Sequence, residues 1–444
     1  MKVLSVVISF MCVCTVFASE SYRAGVLHLQ NKEMSDYTRF IREAGNSDVD
    51  ILVLPSLDSI ESSDKYDEIV DVISETAKQA NVYVAIHLYE KARCHVGHEM
   101  VRSNLVFDRK GEIVAVYRKP QNSNANCTAS PSVPATFTTD FGVTFGVIME
   151  EDLALYDEEH LKGVKNFILT GDWQSELPFL SAALFAPSWS YTNNVNLVST
   201  SGIYSGRAGL KAGSGRLVVA DLLKNVENDV SVVPSVNTPV NFLAEDLNLF
   251  VMKQLDLQAS ANGYTETICH RSFCCEFYVK TAKDTKTEST YNLATFNGVR
   301  PFGANHNVAT QICVLSGSDS NVNFERISIA ANFTKQSSQY PIVQSTAVLP
   351  TESFNFEVKS NGVAEQVTLD LENGKNVINF GIFGKNVNVD LVKDYVVEKN
   401  ATVDGQNEFL EYIFNEDVQE FVDYVWIRLR VLIVVVSIYI LEMM

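Results

Sequence analysis

Apolar residues change their spacing along this chain. From Ser21 to about Lys224, short apolar runs alternate with stretches in which apolar residues recur every three or four positions. The short runs are Ala24–Leu29, Asp50–Leu54, Val82–Leu88, Asn104–Phe107, Ile113–Tyr117, Phe141–Met149, Asn166–Thr170, Asn196–Ser199 and Leu217–Ala220, and each reads as a strand. Between them, Ser35–Ala44, Tyr66–Gln79, Leu155–Leu161 and Ser181–Asn193 carry helical spacing. The alternation predicts layered α and β, with a sheet buried by helices.

Past Val226 the texture becomes β-rich. Phe277–Thr281, Tyr291–Phe296, Gln311–Val314, Phe324–Ala330, Gln366–Leu371 and Asn376–Phe383 alternate apolar and polar positions between turn residues. The Asn-, Ser- and Pro-bearing stretch Val226–Val240 reads as the linker between two domains. The expected division is 1–18, 19–225, 226–400 and 401–444.

The ends differ from both. Lys2, the apolar run Val3–Phe17 and the exit Val16-Phe17-Ala18 have the pattern of a secretory signal peptide. At the other end, Val431–Leu441 is apolar apart from Ser437 and shorter than the roughly 20 residues a spanning helix needs. A longer helix counted from Val425 would contain Arg428 and Arg430. The tail is therefore expected to be a GPI-attachment signal in preference to a tail helix. Asn415 stands at the right distance for attachment, although Glu416 and Asp417 behind it are not small.

Composition adds a few exclusions. The chain has 444 residues, 46% hydrophobic and 20% charged, which describes an ordinary globular protein. A formal charge of −19 argues against a nucleic-acid partner. Once Cys12 and Cys14 leave with the signal, six cysteines remain, an even number that favours disulfides in an oxidising compartment. Cys94 and Cys127 form one expected couple. Cys269, Cys274, Cys275 and Cys313 form a cluster in which adjacent Cys274 and Cys275 face opposite sides of a strand. Each then pairs with Cys269 or Cys313, and both pairings stay open. The run CHVGH at Cys94–His98 fits no standard zinc spacing, so neither metal nor cofactor is expected. Three sequons, at Asn126, Asn332 and Asn400, mark expected glycans in a secreted chain.

The stretch with the most chemical content is Phe141–Asp157, FGVTFGVIMEEDLALYD. An apolar strand runs into the acidic turn Glu150-Glu151-Asp152. Such a junction is where an α/β enzyme lifts a nucleophile clear of its sheet. This stretch resembles the nucleophile segment of the biotinidase and vanin (pantetheinase) branch of the nitrilase superfamily, aligning without a gap. Further matches are DILVLP at Asp50–Pro55, VFDRKGEIVAVYRK at Val106–Lys119, SGIYSG at Ser201–Gly206, CHRSFCC at Cys269–Cys275 and QIC at Gln311–Cys313.

That resemblance implies an αββα sandwich of two sheets, followed by a smaller β-rich C-terminal domain. It also implies a Glu–Lys–Cys triad acting as base, oxyanion stabiliser and nucleophile. Carried over position by position, the base falls on Ser56, the lysine on Lys119 and the nucleophile on Glu150. Lys119 alone matches. A second pocket glutamate is missing from Pro120–Asn126, PQNSNAN, and Trp173 aligns with a tryptophan beside the pocket. The expectation is a secreted, membrane-anchored glycoprotein with a disabled triad that acts by binding a small amide or a protein. The alternative is an active amidohydrolase cleaving linear amides such as pantetheine. A Lys119–Glu150 ion pair is expected to fill the site, because a buried ammonium that has lost its glutamate needs another anion.

Overall fold

The computed structural model describes residues 20–29, 33–57, 63–93, 97–120, 134–155, 161–171, 182–213, 215–229, 247–283, 289–302, 306–317, 322–335, 337–345 and 353–386. Cys94, Cys127, Asn126, Asn400, Trp173 and the segments read as signal and tail anchor lie outside them. Among the described residues, no helix is long and apolar enough to cross a membrane.

Two six-stranded sheets form the first half. One contains β1 (Ser21–Leu27), β2 (Ile51–Val53), β3 (Tyr83–Arg93), β4 (His98–Phe107), β5 (Ile113–Pro120) and β12 (Leu217–Leu223), in the order β12-β1-β2-β3-β4-β5. The other contains β6 (Ala135–Thr138), β7 (Thr144–Met149), β8 (Asn166–Thr170), β9 (Asn196–Ser199), β10 (Gly202–Ser205) and β11 (Gly209–Ala212), in the order β11-β10-β9-β8-β7-β6. Parallel strands β2 and β8 have no exposed residue, which is why they read as unbroken apolar runs. The inner faces meet through Val26, Val53, Ala85 and Val106 from the first sheet and Phe145, Val147, Ile168 and Val198 from the second.

Helices α1 (Met34–Asn46) and α2 (Tyr66–Ala80) cover the outer face of the first sheet. In α1 the buried residues Tyr37, Phe40, Ile41 and Ala44 repeat at helical spacing. In α2, Asn81 ends the helix in the left-handed conformation, a common helix stop. Most of the predicted helix Leu155–Leu161 lies outside the described residues. The structure forms α3 over Glu150–Leu155, so the acidic triplet is a helix start and not a turn. Carboxylates in a first helical turn face unpaired backbone N–H groups, which favours that start.

The second half is a sandwich of two five-stranded sheets. The first has the order β13-β16-β17-β22-β19, with β13 (Val251–Gln254), β16 (Tyr291–Phe302), β17 (His306–Gly317), β19 (Ser338–Ser345) and β22 (Val377–Asn386). The second has the order β14-β15-β18-β21-β20, with β14 (Tyr264–His270), β15 (Phe273–Thr281), β18 (Phe324–Thr334), β20 (Phe354–Ser360) and β21 (Ala364–Gly374). Helix α4 (Ala182–Asn193) and the outer face of the second six-stranded sheet pack directly on this sandwich. The αββα arrangement thus has helices on one side and a β-sandwich beneath α4 on the other.

The open cysteine pairing resolves as Cys269–Cys274 and Cys275–Cys313. The first pair lies directly across the β14–β15 hairpin, while the second joins the two sheets of the sandwich through its core. Asn332 is exposed on β18.

Phe185 of α4 marks the seam, edge-on to Tyr340 at 4.9 Å and to Phe383 at 6.1 Å between ring centroids. Shared burial of this kind makes the two halves one cooperative unit. Phe185→Ala is expected to cost about 3–5 kcal/mol. Calorimetry should show one transition moved down; two separated transitions would contradict the shared core.

Candidate functional site

Strands β2, β3 and β5 run in the same direction, because β2–β3 is parallel and β3–β4 and β4–β5 are antiparallel. Their C-terminal ends therefore lie at one edge of the sheet. Ser56 follows β2 there and is fully buried, its carbonyl accepting a hydrogen bond from the Tyr37 hydroxyl at 3.3 Å. Lys119 sits at the end of β5. Glu150 begins α3 at the end of β7, on the facing sheet.

Side-chain alternation along β4 and β5 decides which groups point inward. Val106, Ala115 and Tyr117 belong to the inner core, so Asn104, Arg102 and Lys119 share their side. Outward-facing Arg118 instead pairs with Glu90 at 2.9 Å. Beside that pair, burial first and the Glu90 charge second push the Tyr66 hydroxyl up to about 12.

Register places Arg102 directly opposite Lys119 across the β4–β5 ladder. Two cations so placed repel, and inside a sandwich they need anions. Helix α3 supplies both. Lys119 Nζ donates to Asp152 Oδ1 at 2.5 Å, and Arg102 Nη1 donates to Glu150 Oε1 at 2.8 Å. All four side chains are only 10–15% exposed. The expected Lys119–Glu150 pair is therefore corrected: the lysine takes Asp152 and Glu150 takes Arg102. Position along the helix explains the exchange. Asp152 is the third residue of α3, and its other oxygen accepts the backbone N–H of Met149 at 2.7 Å, the reach-back of a helix-capping residue. That bond turns Asp152 toward β5, where the Tyr117 hydroxyl also donates to it at 3.0 Å.

Three further contacts hold this arrangement. His87, wholly buried, donates from Nδ1 to Asn104 Oδ1 at 2.6 Å, because the Asn104 amide donates onward to the Ile148 carbonyl at 3.1 Å. That chain ties the two sheets together just before α3. Gly171, at φ +127°, lies so close to Glu150 that a Cβ there would stand 2.1 Å from Oε2. Lys385 reaches across from β22 to donate to the Leu153 carbonyl at 2.9 Å, with its ammonium 5.5 Å from the Tyr340 ring centre. A buried cation at that end of α3 complements the helix dipole.

Sequence reasoning missed Arg102, Asp152 and Tyr117. The signals were present: an arginine on the inward side of an alternating strand, and an acid three residues after a strand end. Among the described residues no cluster of His, Cys, Asp and Glu is placed to hold a metal ion. Every described cysteine is in a disulfide of the C-terminal sandwich.

Facing sheets with the site at a strand–helix junction give the αββα sandwich that the sequence resemblance implied. The family model of the vanin C-terminal domain matches residues 240–390. Vanin-like protein 2 of Drosophila melanogaster is 27% identical over an alignment of 480 residues, covering 84% of this chain and 91% of that protein. Pantetheinase of Bos taurus is 26% identical over 285 residues, covering 55% and 54%. An amidase from Nesterenkonia sp. overlaps 47% of this chain and 93% of its own at 15% identity and a TM-score of 0.35, a likeness too slight to carry weight. These matches make the chain similar to the vanin and biotinidase branch of the nitrilase superfamily over most of its length.

Breaking one buried ion pair strands its partner, whereas removing both groups does not. Arg102→Met is expected to cost about 3–5 kcal/mol, and Arg102→Met/Glu150→Leu to recover most of that loss. Urea titration of the two variants checks this; equal losses would mean that Arg102 and Glu150 act independently.

Proposed function

We propose that this member of the carbon–nitrogen hydrolase family is catalytically inactive and acts by binding, as a secreted glycoprotein held to the membrane by a C-terminal anchor. The observation that carries the reading is Glu150 at the nucleophile position, held by Arg102. Acyl transfer from an amide needs a nucleophile that becomes a competent thiolate, a base to manage its proton, and a free cation facing the developing oxyanion. A carboxylate is a poor nucleophile toward an amide. Ser56 offers no carboxylate base, and the ammonium of Lys119 is already engaged by Asp152 at 2.5 Å. The pattern of residues 1–18, the sequons at Asn126, Asn332 and Asn400, and the apolar tail support secretion, glycosylation and anchoring. The bound molecule in this reading is a small amide or a protein.

The test is hydrolysis of a pantetheine-type amide by the purified secreted chain. No turnover above that of Glu150→Ala is expected. Turnover that Lys119→Met abolishes would establish the active amidohydrolase instead. A Ser56→Glu/Glu150→Cys/Asp152→Asn variant run alongside, which also releases Lys119 from its carboxylate, is expected to gain hydrolysis. Arg102 would then lie beside a thiol and favour its thiolate, as neighbouring cations do.

A further inference from the structure

The two described disulfides occupy opposite environments. Cys275 and Cys313 are fully buried, and their bridge joins β15 of one sheet to β17 of the other. Cys269 and Cys274 are both exposed, five residues apart, at the outer end of the β14–β15 hairpin. The hairpin is also held by contacts other than that bridge. Its register runs through seven residue pairs from Tyr264↔Val279 to His270↔Phe273. Phe273 is buried beside the turn, edge-on to Phe333 at 5.1 Å between ring centroids. Arg271 takes the left-handed conformation (φ 57°) inside the two-residue turn, which brings the chain back on itself.

We propose that Cys269–Cys274 is a thiol-exchange site, opened and closed by low-molecular-weight thiols and their disulfides while the sandwich stays folded. The thiolate of an incoming thiol attacks one exposed sulfur. A mixed disulfide forms, the S–S bond breaks, and the other cysteine leaves as a thiolate that takes a proton from water. A second thiol attacks the mixed disulfide, releasing the oxidised small molecule and a second protein thiol. Two thiols are oxidised and one protein disulfide is reduced. The reverse sequence is fast because the hairpin holds Cys269 and Cys274 opposite one another. Access of the attacking thiolate limits such exchange, so the buried bridge is protected by the same packing that the exposed one lacks.

Native protein would be incubated with millimolar reduced glutathione, quenched with a maleimide, and mapped by peptide mass. Labelling of Cys269 and Cys274 is expected about tenfold or more faster than that of Cys275 and Cys313, on access alone. The near-ultraviolet circular dichroism should stay unchanged at full labelling, and oxidised glutathione should restore the bridge before quenching. Labelling of all four cysteines at one common rate would overturn the proposal, since opening would then require unfolding of the sandwich. So would an absence of labelling at Cys269 and Cys274, or loss of the circular dichroism signal as they react. Cys269→Ser/Cys274→Ser is expected to fold with the same spectrum; failure of that variant to fold would show the bridge to be structural.

Discussion

Two cations side by side on one inner face are the constraint that the rest of this site answers. Arg102 and Lys119 are fixed opposite each other by β-ladder register, so neither can turn away without leaving the sandwich. Their repulsion is relieved from the facing sheet, by an element that delivers two carboxylates a short distance apart. A helix beginning at the end of β7 does this. Its first and third residues, Glu150 and Asp152, reach different partners on the opposite sheet. The four charges cancel, and each oxygen or nitrogen named in those pairs is spent on an internal contact.

Such a cluster depends on its frame. Charged groups in a poorly solvated space gain from pairing only when the geometry is held, because a displaced partner leaves the cost of desolvation uncovered. The frame here comes from three directions. His87 and Asn104 join the sheets at the level of Ile148. The absence of a Cβ at Gly171 admits the Glu150 carboxylate. Lys385 fastens the far end of α3 to the C-terminal sandwich, under a common core that includes Phe185, Tyr340 and Phe383. The C-terminal sandwich is therefore part of what positions the site.

Much of this was legible in the sequence. Strands buried on both faces, such as Asn166–Thr170 and Asn196–Ser199, announce themselves as apolar runs and fall where the structure has them. Strands without that signal were missed: β13 is exposed along its whole length, β20 along most of it, and β10 and β11 each begin with glycine. The positions of Ser56, Lys119 and Glu150 came from resemblance, and the structure brings Lys119 and Glu150 into one cluster. Their pairing was misjudged because local sequence does not reveal register. Only the ladder places Arg102 beside Lys119, and only helical phase turns Asp152 toward β5. The disulfide pairing stayed open for the same reason, since two partners were compatible with alternation and the hairpin register selects one.

The exchange of partners changes what the substitutions mean. Had Glu150 simply paired with Lys119, one glutamate would have stood in for another, and a single reversal would free the lysine. In the observed arrangement Lys119 is occupied by Asp152 whatever stands at position 150. Glu150 answers a different residue, Arg102, whose own charge would otherwise be stranded. The two ion pairs are separate solutions to one electrostatic problem, joined by a shared helix and by the cross-strand contact of their cations. A thiol placed at position 150 would inherit Arg102 as its neighbour while Lys119 stayed committed elsewhere. The cation that settles the nucleophile's charge and the cation that faces an oxyanion are thus different groups. Any chemistry at this junction has to be built on that division.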